Sequence, residues 1–251
     1  MMKKLLSTAA ALLVSGFILS GCSTTEKHWG YTGDVSPEHW GGLSDKFKTC
    51  AVGQKQSPVN IQVQKATDKD LPALNINYLA SKATVVNNGH SIQTDLTDEN
   101  STLTINGKVY TLKQFHFHSS SENTIDGQYL PLEGHFVHVA KDGGIVVVAV
   151  LYEIGGENAQ LADIWAGMPE KAGEKVKLKA KFNPATLISS KQSYYSFEGS
   201  LTTPPCTEGV DWIVLKAYGH VSAEQVEKFA KAVGVKNNRP VQPLNERTIA
   251  K

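Results

Sequence analysis

Short apolar stretches recur along most of the chain, and turn signals separate them. Period-2 alternation and runs rich in β-branched and aromatic residues predict strands at 83–87, 102–105, 109–118, 135–140, 145–152 and 212–217. Pairs such as Asn88-Gly89 and Asp126-Gly127 favour the tight turns between them. The sequence after residue 29 contains no linker, repeat or low-complexity segment. The pattern predicts a single, mostly β domain.

Helical periodicity is convincing in only two segments. The first has apolar residues at i, i+3, i+4 and i+7 before Pro169, namely Leu161, Ile164, Trp165 and Met168. The second opens with the capping box Ser222-Ala-Glu-Gln225 and is expected to end near Gly234. We expect both apolar stripes to pack against the core rather than bind a ligand.

The amino-terminal segment has a different pattern from the rest. Lys3-Lys4 precedes an apolar run over 5–19, which small residues follow, and this is typical of a secretory signal over 1–21. A single membrane span is the alternative, because the run is marginal in length for one. Leu19-Ser20-Gly21-Cys22 resembles the bacterial lipobox, in which the cysteine is lipidated. We expect a tether over 22–28, a folded domain over 29–251, and a periplasmic protein that is either soluble or membrane-anchored through Cys22.

Composition and charge exclude several classes of protein. The chain has 251 residues, of which 41% are hydrophobic, as in an ordinary globular protein rather than one with many membrane spans. Lys and Arg number 25 against 24 Asp and Glu, so the net charge is only +1. Nucleic-acid binding proteins carry a basic surface, which this balance does not favour. No obligate protein partner is evident from the sequence.

Three cysteines have to be assigned. If Cys22 carries a lipid, Cys50 and Cys206 remain as a pair in an oxidising compartment. A disulfide and two buried free thiols both remain open, because sequence spacing does not supply the geometry of a bond.

The chemistry is concentrated in the histidines, four of which lie between 116 and 138. On a strand with period 2, His116 and His118 share one face, and His135 lies on a later strand that a turn near 126 can bring alongside. Three imidazoles with an open fourth position are the ligand set of a catalytic zinc. Gln114 and Glu133 each precede a histidine by two residues on the same face, where they can hold its other ring nitrogen.

The other histidines are given plainer interpretations. His138 faces away from the first three and is expected to be a hydrogen-bonded core residue. His28, His39 and His220 show no partner pattern, so we interpret them as structural or surface residues.

Several long motifs then occur in the order found in α-class carbonic anhydrases. They include Gln114-Phe-His-Phe-His118, Glu133-Gly-His-Phe-Val-His138, Gln56-Ser-Pro-Val-Asn-Ile61, Asn88-Gly-His90, Gly199-Ser-Leu-Thr-Thr-Pro-Pro205 and Arg239-Pro-Val-Gln-Pro-Leu244. The chain from about residue 29 onwards resembles this family. The resemblance implies one domain built on a central, largely antiparallel twisted sheet of about ten strands, with a few short peripheral helices. It also implies reversible hydration of carbon dioxide to bicarbonate and a proton by zinc-bound hydroxide, with ester hydrolysis as a side activity.

The resemblance assigns roles to residues around the histidines. His116, His118 and His135 would be the Zn²⁺ ligands, and the backbone carbonyl of Asn237 would orient His118. Thr202 would donate its hydroxyl proton to Glu122 and accept a hydrogen bond from the zinc-bound hydroxide.

It also identifies the surroundings of the substrate. Thr203 would hydrogen-bond carbon dioxide or bicarbonate, and an apolar wall would hold the gas; its members would be Val137, Val147, Leu201 and Trp212. His90 would be the proton shuttle, in a turn that gives its ring solvent access. The polar side of the cleft would be lined by Tyr31, Asn88 and Gln93. Cys50 and Cys206 match the family's disulfide pair, and a cis bond is expected within Pro204-Pro205.

Two other classes of protein remain as alternatives. A zinc protein without turnover would be expected to lack ligands, and all three histidines are present. A cupin-type iron oxygenase fits the spacing His116-x-His118-x-x-x-Glu122, in which Glu122 would bind the metal. Zinc rather than iron in the purified protein distinguishes the hydration enzyme from the oxygenase.

Overall fold

The computed structural model describes residues 28–97 and 99–251. The predicted signal segment, Cys22 and all but the last residue of the predicted tether lie outside the described residues. The described residues form thirteen strands: β1 (Asn60–Ile61), β2 (Asn75–Asn77), β3 (Ala83–Asn87), β4 (Ile92–Leu96), β5 (Thr102–Ile105), β6 (Lys108–His118), β7 (Thr124–Ile125), β8 (Leu132–Ala140), β9 (Ile145–Ile154), β10 (Lys175–Lys177), β11 (Tyr194–Ser200), β12 (Glu208–Leu215) and β13 (Gly219–Val221).

Helices are few and short. The α-helices of the described residues are α1 (Trp40–Leu43), α2 (Thr49–Val52), α3 (Ala159–Ala166) and α4 (Ala223–Val233), and four 3-10 turns lie at Gly33–Val35, Asp45–Phe47, Val63–Lys65 and Pro184–Leu187. The capping box of α4 forms as the sequence predicts, with Ser222 and Gln225 bonding each other's backbone, and Gly234 ends the helix at φ 77°. Among the described residues, no helix is both long and apolar enough to cross a membrane.

Eleven strands form one mixed sheet. Its main path runs β10-β3-β4-β6-β8-β9-β12-β11, with β5 joining β2 and β6, and β13 beside β9. Most neighbours are antiparallel, but β9 pairs in parallel with both β12 and β13. β1 and β7 form a separate parallel pair. The mostly β architecture with a large central, mainly antiparallel sheet is therefore confirmed, and the tertiary structure adds the parallel pairs.

Strand β9 is apolar on both faces because both faces of the sheet are covered. Val146, Val148, Val150 and Tyr152 belong to one buried cluster, while Val147, Ala149 and Leu151 belong to another. Helices α3 and α4 pack on the first face, where Leu161, Ile164 and Trp165 meet Phe229. Residues 115 and 117 also point to this helical side. The alternate residues of β6, which include His116 and His118, consequently point to the other side.

The predicted strands 83–87 and 102–105 match β3 and β5, and those at 109–118, 135–140 and 145–152 lie within β6, β8 and β9. The prediction 212–217 is displaced, since β12 runs from Glu208 to Leu215. The other seven strands were missed, namely β1, β2, β4, β7, β10, β11 and β13. Gln93 and Asp95 interrupt the apolar residues of β4, because they point toward the polar side of the site described below.

Candidate metal centre

Strands β6 and β8 bring three histidines together. His116 pairs directly with His135 in the antiparallel register, and His118 lies two residues further along the same face. One ligand nitrogen from each imidazole lies within 4.8 Å of the others. His118 and His135 are buried, whereas His116 is partly exposed. The cluster therefore has one side that small molecules can approach.

Each imidazole is held by a different acceptor. The Nδ1 of His116 lies 2.8 Å from Oε1 of Gln114, and the Nδ1 of His118 lies 2.7 Å from the backbone oxygen of Asn237. The Nε2 of His135 lies 3.0 Å from Oε1 of Glu133, a close contact without hydrogen-bond geometry. These contacts leave Nε2 of the first two rings and Nδ1 of the third for the centre, and they fix the tautomer of each ring.

The electrostatics keep the cluster neutral. Burial lowers the pKa of His116 and His135 well below the usual value, and the neighbouring imidazoles lower it further. Burial lowers the pKa of His118 as well, against the hydrogen bond to Asn237. Among the described residues, the Nε2 of His118 is buried without a hydrogen-bond partner. An unpaired nitrogen beside two other neutral imidazoles fits a zinc ion with an open fourth position.

Glu133 is fixed by the loop that follows β6. Its Oε2 accepts the backbone N–H groups of Glu122 and Asn123 at 2.7 and 2.8 Å, and its Oε1 accepts the Asn123 amide at 2.7 Å. Burial raises the pKa of Glu133, and the hydrogen bonds from Asn123 oppose that rise. The carboxyl group thus cannot rotate away from His135 without losing several buried hydrogen bonds.

Glu122 lies at the edge of the same cluster. Its Oε1 accepts the backbone N–H of Arg239 at 2.8 Å, and its Oε2 lies 3.5 Å from Nε2 of His118. Burial raises the pKa of Glu122 to about 8, while hydrogen bonds from the Arg239 backbone and the Thr202 hydroxyl act in the opposite direction. Thr202 is itself buried. A carboxyl group with a hydroxyl group as hydrogen-bond partner therefore lies beside two of the three imidazoles, those of His118 and His135.

An apolar surface borders the centre on the sheet side. Val147 and Trp212 belong to a buried cluster against which Val137 and Leu201 pack, and these last two remain partly exposed. The Trp212 ring meets His135 edge-on with centroids 4.9 Å apart, and its Nε1 donates to Ser200 at 3.0 Å. Thr203 lies one residue beyond Thr202 and is partly exposed. The four apolar residues named from the resemblance thus lie in one cluster.

His90 does not occupy the open position that the sequence predicts. Its ring is half-buried and stacks on Trp29, with centroids 3.6 Å apart and planes 11° apart, and His28 stacks on it at 4.9 Å. Burial, with a smaller contribution from His28, lowers the pKa of His90 to about 4. The ring therefore keeps only part of the solvent access that the sequence predicts, because Trp29, at the beginning of the described chain, covers one of its faces.

A polar network runs beside His116. Gln93 pairs with His116 across β4 and β6, and it accepts a hydrogen bond from Asn88 at 3.3 Å. Its own amide donates to Asp95 at 2.6 Å. Sequence reasoning missed Asp95, although its spacing of two residues from Gln93 placed it on the same face of β4. Tyr31 is partly buried, and burial raises the pKa of its phenol well above the usual value.

Behind Glu122, a disulfide and a buried arginine connect the surrounding loops. Cys50 and Cys206 are bonded with Cα atoms 5.0 Å apart, which confirms the expected pair. Arg239 donates to the backbone oxygen of Cys50 at 3.0 Å and to Gln56 at 2.9 Å, and Gln56 donates to Cys206 at 3.1 Å. The sequence motif contained Arg239, but nothing in the sequence showed that its guanidinium is buried. The peptide bond between Pro204 and Pro205 is cis, as expected.

The remaining histidines lie away from the centre. His138 is a buried core residue whose Nε2 lies 2.6 Å from the Tyr78 hydroxyl and whose Nδ1 lies 3.2 Å from the Val146 oxygen. His39 is exposed, and the exposed His220 lies 3.4 Å from Glu153.

Comparison with known proteins agrees with this site. Residues 35–251 match the family model of eukaryotic-type carbonic anhydrases. The chain is 51% identical to a carbonic anhydrase of Neisseria gonorrhoeae over 242 residues, covering 96% of this chain and 95% of the relative. It is 44% identical to a carbonic anhydrase of Klebsiella pneumoniae over 249 residues, covering 99% of each. The solved structure of a Thermovibrio ammonificans α-carbonic anhydrase, a complex with the inhibitor sulfanilamide, superposes with a TM-score of 0.87 at 46% identity, covering 89% of this chain and 99% of that one.

Proposed function

Because the chain belongs to the eukaryotic-type, or α, carbonic anhydrases, we propose that its histidine cluster is the centre for zinc-dependent, reversible hydration of carbon dioxide to bicarbonate and a proton. The observation that carries this proposal is the convergence of three neutral imidazoles, each with a different oxygen atom within 3.0 Å of its outer ring nitrogen. Zinc bound to His116, His118 and His135 would supply the Lewis acidity that makes hydroxide available near neutral pH.

Glu122 and Thr202 are proposed to orient the nucleophile. A divalent cation beside the histidines favours the ionised form of Glu122, since opposite charge lowers the pKa that burial has raised. As a carboxylate it can only accept a hydrogen bond, so the Thr202 hydroxyl must donate to it. The Thr202 oxygen is then left to accept a hydrogen bond from the attacking oxygen, and a lone pair of that atom points toward the substrate carbon.

The apolar cluster is proposed to bind carbon dioxide. An uncharged substrate gains little from charged groups, whereas Val137 and Leu201 offer a partly exposed apolar surface backed by Trp212. Thr203, which is partly exposed and follows Thr202 directly, is proposed to hydrogen-bond bicarbonate. The apolar cluster would therefore hold carbon dioxide close to the nucleophile without offering a ligand to the metal.

His90 is proposed to carry the proton between the centre and the buffer. Imidazole is the side chain whose ordinary pKa allows it to accept and release a proton near neutral pH. In the stacked position burial makes His90 a weaker base, so movement off Trp29 restores its ability to accept a proton.

The decisive experiment combines metal analysis with stopped-flow hydration. We expect the purified protein to contain about one zinc and no iron, and His118→Ala to lose most of the zinc and nearly all activity, because a three-ligand site cannot spare one. His220→Ala serves as the matched control, since its imidazole is exposed and lies 3.4 Å from Glu153. Stoichiometric zinc with normal turnover in His118→Ala, or iron as the resident metal, would contradict the proposal.

We also propose that the protein is exported, and that Cys22 either carries a lipid or lies at the start of a soluble mature chain. Support comes from Lys3-Lys4, the apolar run over 5–19 and the lipobox-like Leu19-Ser-Gly-Cys22. The Cys50–Cys206 bond is typical of an oxidising compartment such as the periplasm. Mass spectrometry of the mature amino terminus in native and Cys22→Ala protein tests this. An uncleaved chain in the cytoplasm would refute it.

A further inference from the structure

The side chain of Asn237 connects three segments around the candidate metal centre. Its Nδ2 donates to the backbone oxygens of His90 and Phe117, both at 3.0 Å. Its Oδ1 accepts the backbone N–H of Ser119 at 3.0 Å. The residue is completely buried. The hydrogen bond to Phe117 is buried, and those to His90 and Ser119 are partly buried. Removing the amide therefore leaves three backbone groups without this partner, in places where water can replace it only in part.

Two of the partners of Asn237, residues 117 and 119, lie on either side of His118. The main-chain oxygen of Asn237 accepts the Nδ1 of His118 at 2.7 Å, while its side chain holds residues 117 and 119. The orienting oxygen itself survives any substitution at this position, since it belongs to the backbone. The position of this oxygen relative to the His118 ring, however, depends on the side chain. The Asn237 amide holds the backbone around residue 237 against the end of β6.

The third partner belongs to the turn that carries the candidate shuttle. Asn88 holds this turn internally, because its Oδ1 accepts the N–H groups of His90 and Ser91 at 2.9 and 2.7 Å. The Ser91 hydroxyl donates to the Phe117 oxygen at 2.5 Å, the same oxygen that accepts from Asn237. Asn237 thus adds a second connection between the turn that carries His90 and the end of β6, because its amide donates to both.

We propose that the Asn237 side chain is a positioning residue that fixes both the metal ligand His118 and the shuttle residue His90. The inference rests on the proposed function, because it assigns His90 and His118 the roles given above. It predicts that one buried amide controls two separable properties, retention of zinc and delivery of protons to the buffer.

The test compares Asn237→Ala and Asn237→Asp with Asn238→Ala. The aspartate retains the acceptor for Ser119 but loses both donors, and it keeps the test open if the alanine variant does not fold. Asn238 is the matched control, since its buried amide donates at 3.2 Å to the oxygen of Ser121 rather than to the shuttle turn. Zinc release into a chelator is measured for each protein, and kcat and kcat/KM are measured in dilute buffer with zinc in excess.

We expect zinc release from both Asn237 variants to be about 10–100-fold faster than from the native protein, as for other residues that orient a ligand. We expect kcat in dilute buffer to fall to the level of His90→Ala, while kcat/KM stays within about threefold of native. In a His90→Ala background, Asn237→Ala should lower kcat no further but should still speed zinc release. Asn238→Ala should leave both properties near native.

Zinc release and kcat within about twofold of native in the Asn237 variants would overturn the proposal. If Asn238→Ala changed zinc release and kcat as much as the Asn237 variants do, the effect would follow from losing any buried amide, and the proposal would be overturned. A further fall in kcat in the His90→Ala background would show that Asn237 does not act through His90. Absence of hydration by the native protein would instead refute the proposed function, and the zinc-release comparison would still test the link to His118.

Discussion

The stacking of His90 on Trp29 leads to a prediction about proton transfer. The two rings lie 3.6 Å apart, and burial, with a smaller contribution from the charge on His28, lowers the pKa of His90 from 6.5 to about 4. Replacing Trp29 by alanine removes the ring that covers the imidazole. We therefore expect the pKa of His90 in Trp29→Ala to rise toward 6.5.

The expected size of the kinetic effect follows from the two pKa values. Each hydration cycle must release a proton from an acid of pKa about 7, which is the established figure for carbonic anhydrases. Transfer from that acid to a base of pKa about 4 is unfavourable by a factor of about 10³. Transfer to a base of pKa about 6.5 is unfavourable by a factor of only about 3. Trp29→Ala should therefore raise kcat in dilute buffer, by at most about 300-fold, without changing kcat/KM, since attack on carbon dioxide precedes the proton step.

The same shift has a consequence for stability. A histidine with a depressed pKa in the folded state stays neutral while the unfolded chain already binds a proton, so stability falls as the pH drops from 6.5 toward about 4. Trp29→Ala should remove part of this pH dependence. Denaturation midpoints at pH 7 and pH 4.5 for the native and variant proteins measure it.

The assay is a nuclear magnetic resonance titration of the His90 ring, with stopped-flow hydration in dilute buffer alongside. His28→Gln is the control, because it removes the smaller electrostatic cause and leaves the Trp29 ring in place, so it should raise the pKa less than Trp29→Ala does. A native His90 that titrates near 6.5, or a Trp29→Ala variant with an unchanged midpoint, would refute the reasoning.

Three further changes test the site. Thr202→Ala should retain zinc but lower kcat/KM by about 10–10³-fold through loss of oriented hydrogen bonds, and unchanged kinetics would make Thr202 a turn residue only. Glu133→Gln should weaken zinc binding about 10–100-fold, because the charged partner of His135 is lost, and a competition titration with a chelator measures this. Replacing Cys50 and Cys206 together by serine should lower the free energy of unfolding by about 2–4 kcal/mol, since the bond closes a loop with a sequence separation of 156 residues. Denaturant unfolding that matches the native protein would contradict this last expectation.

The sequence by itself determined the elements with strong periodicity and the three histidines that meet at the candidate metal centre. In β6 and β8, alternate residues had to face opposite sides of the sheet, so the period-2 pattern alone separated His116 and His118 from the core phenylalanines. Gln114 and Glu133 were assigned for the same reason, and α4 was recognised from its cap. These are local signals, carried by residues a few positions apart.

Only the tertiary structure decided what lies next to these residues. Strand β4 was not predicted because Gln93 and Asp95 break its apolar pattern. These two polar side chains lie beside His116 and Gln114 on the neighbouring strand, and only the tertiary structure shows this. The parallel pairs made by β9 join segments far apart in sequence, and no local pattern encodes them. The covering of His90 by Trp29 arises in the same way, since the two rings meet across about sixty residues of chain. A pKa depends on the dielectric and charge around a group, and that environment exists only once distant segments have packed together.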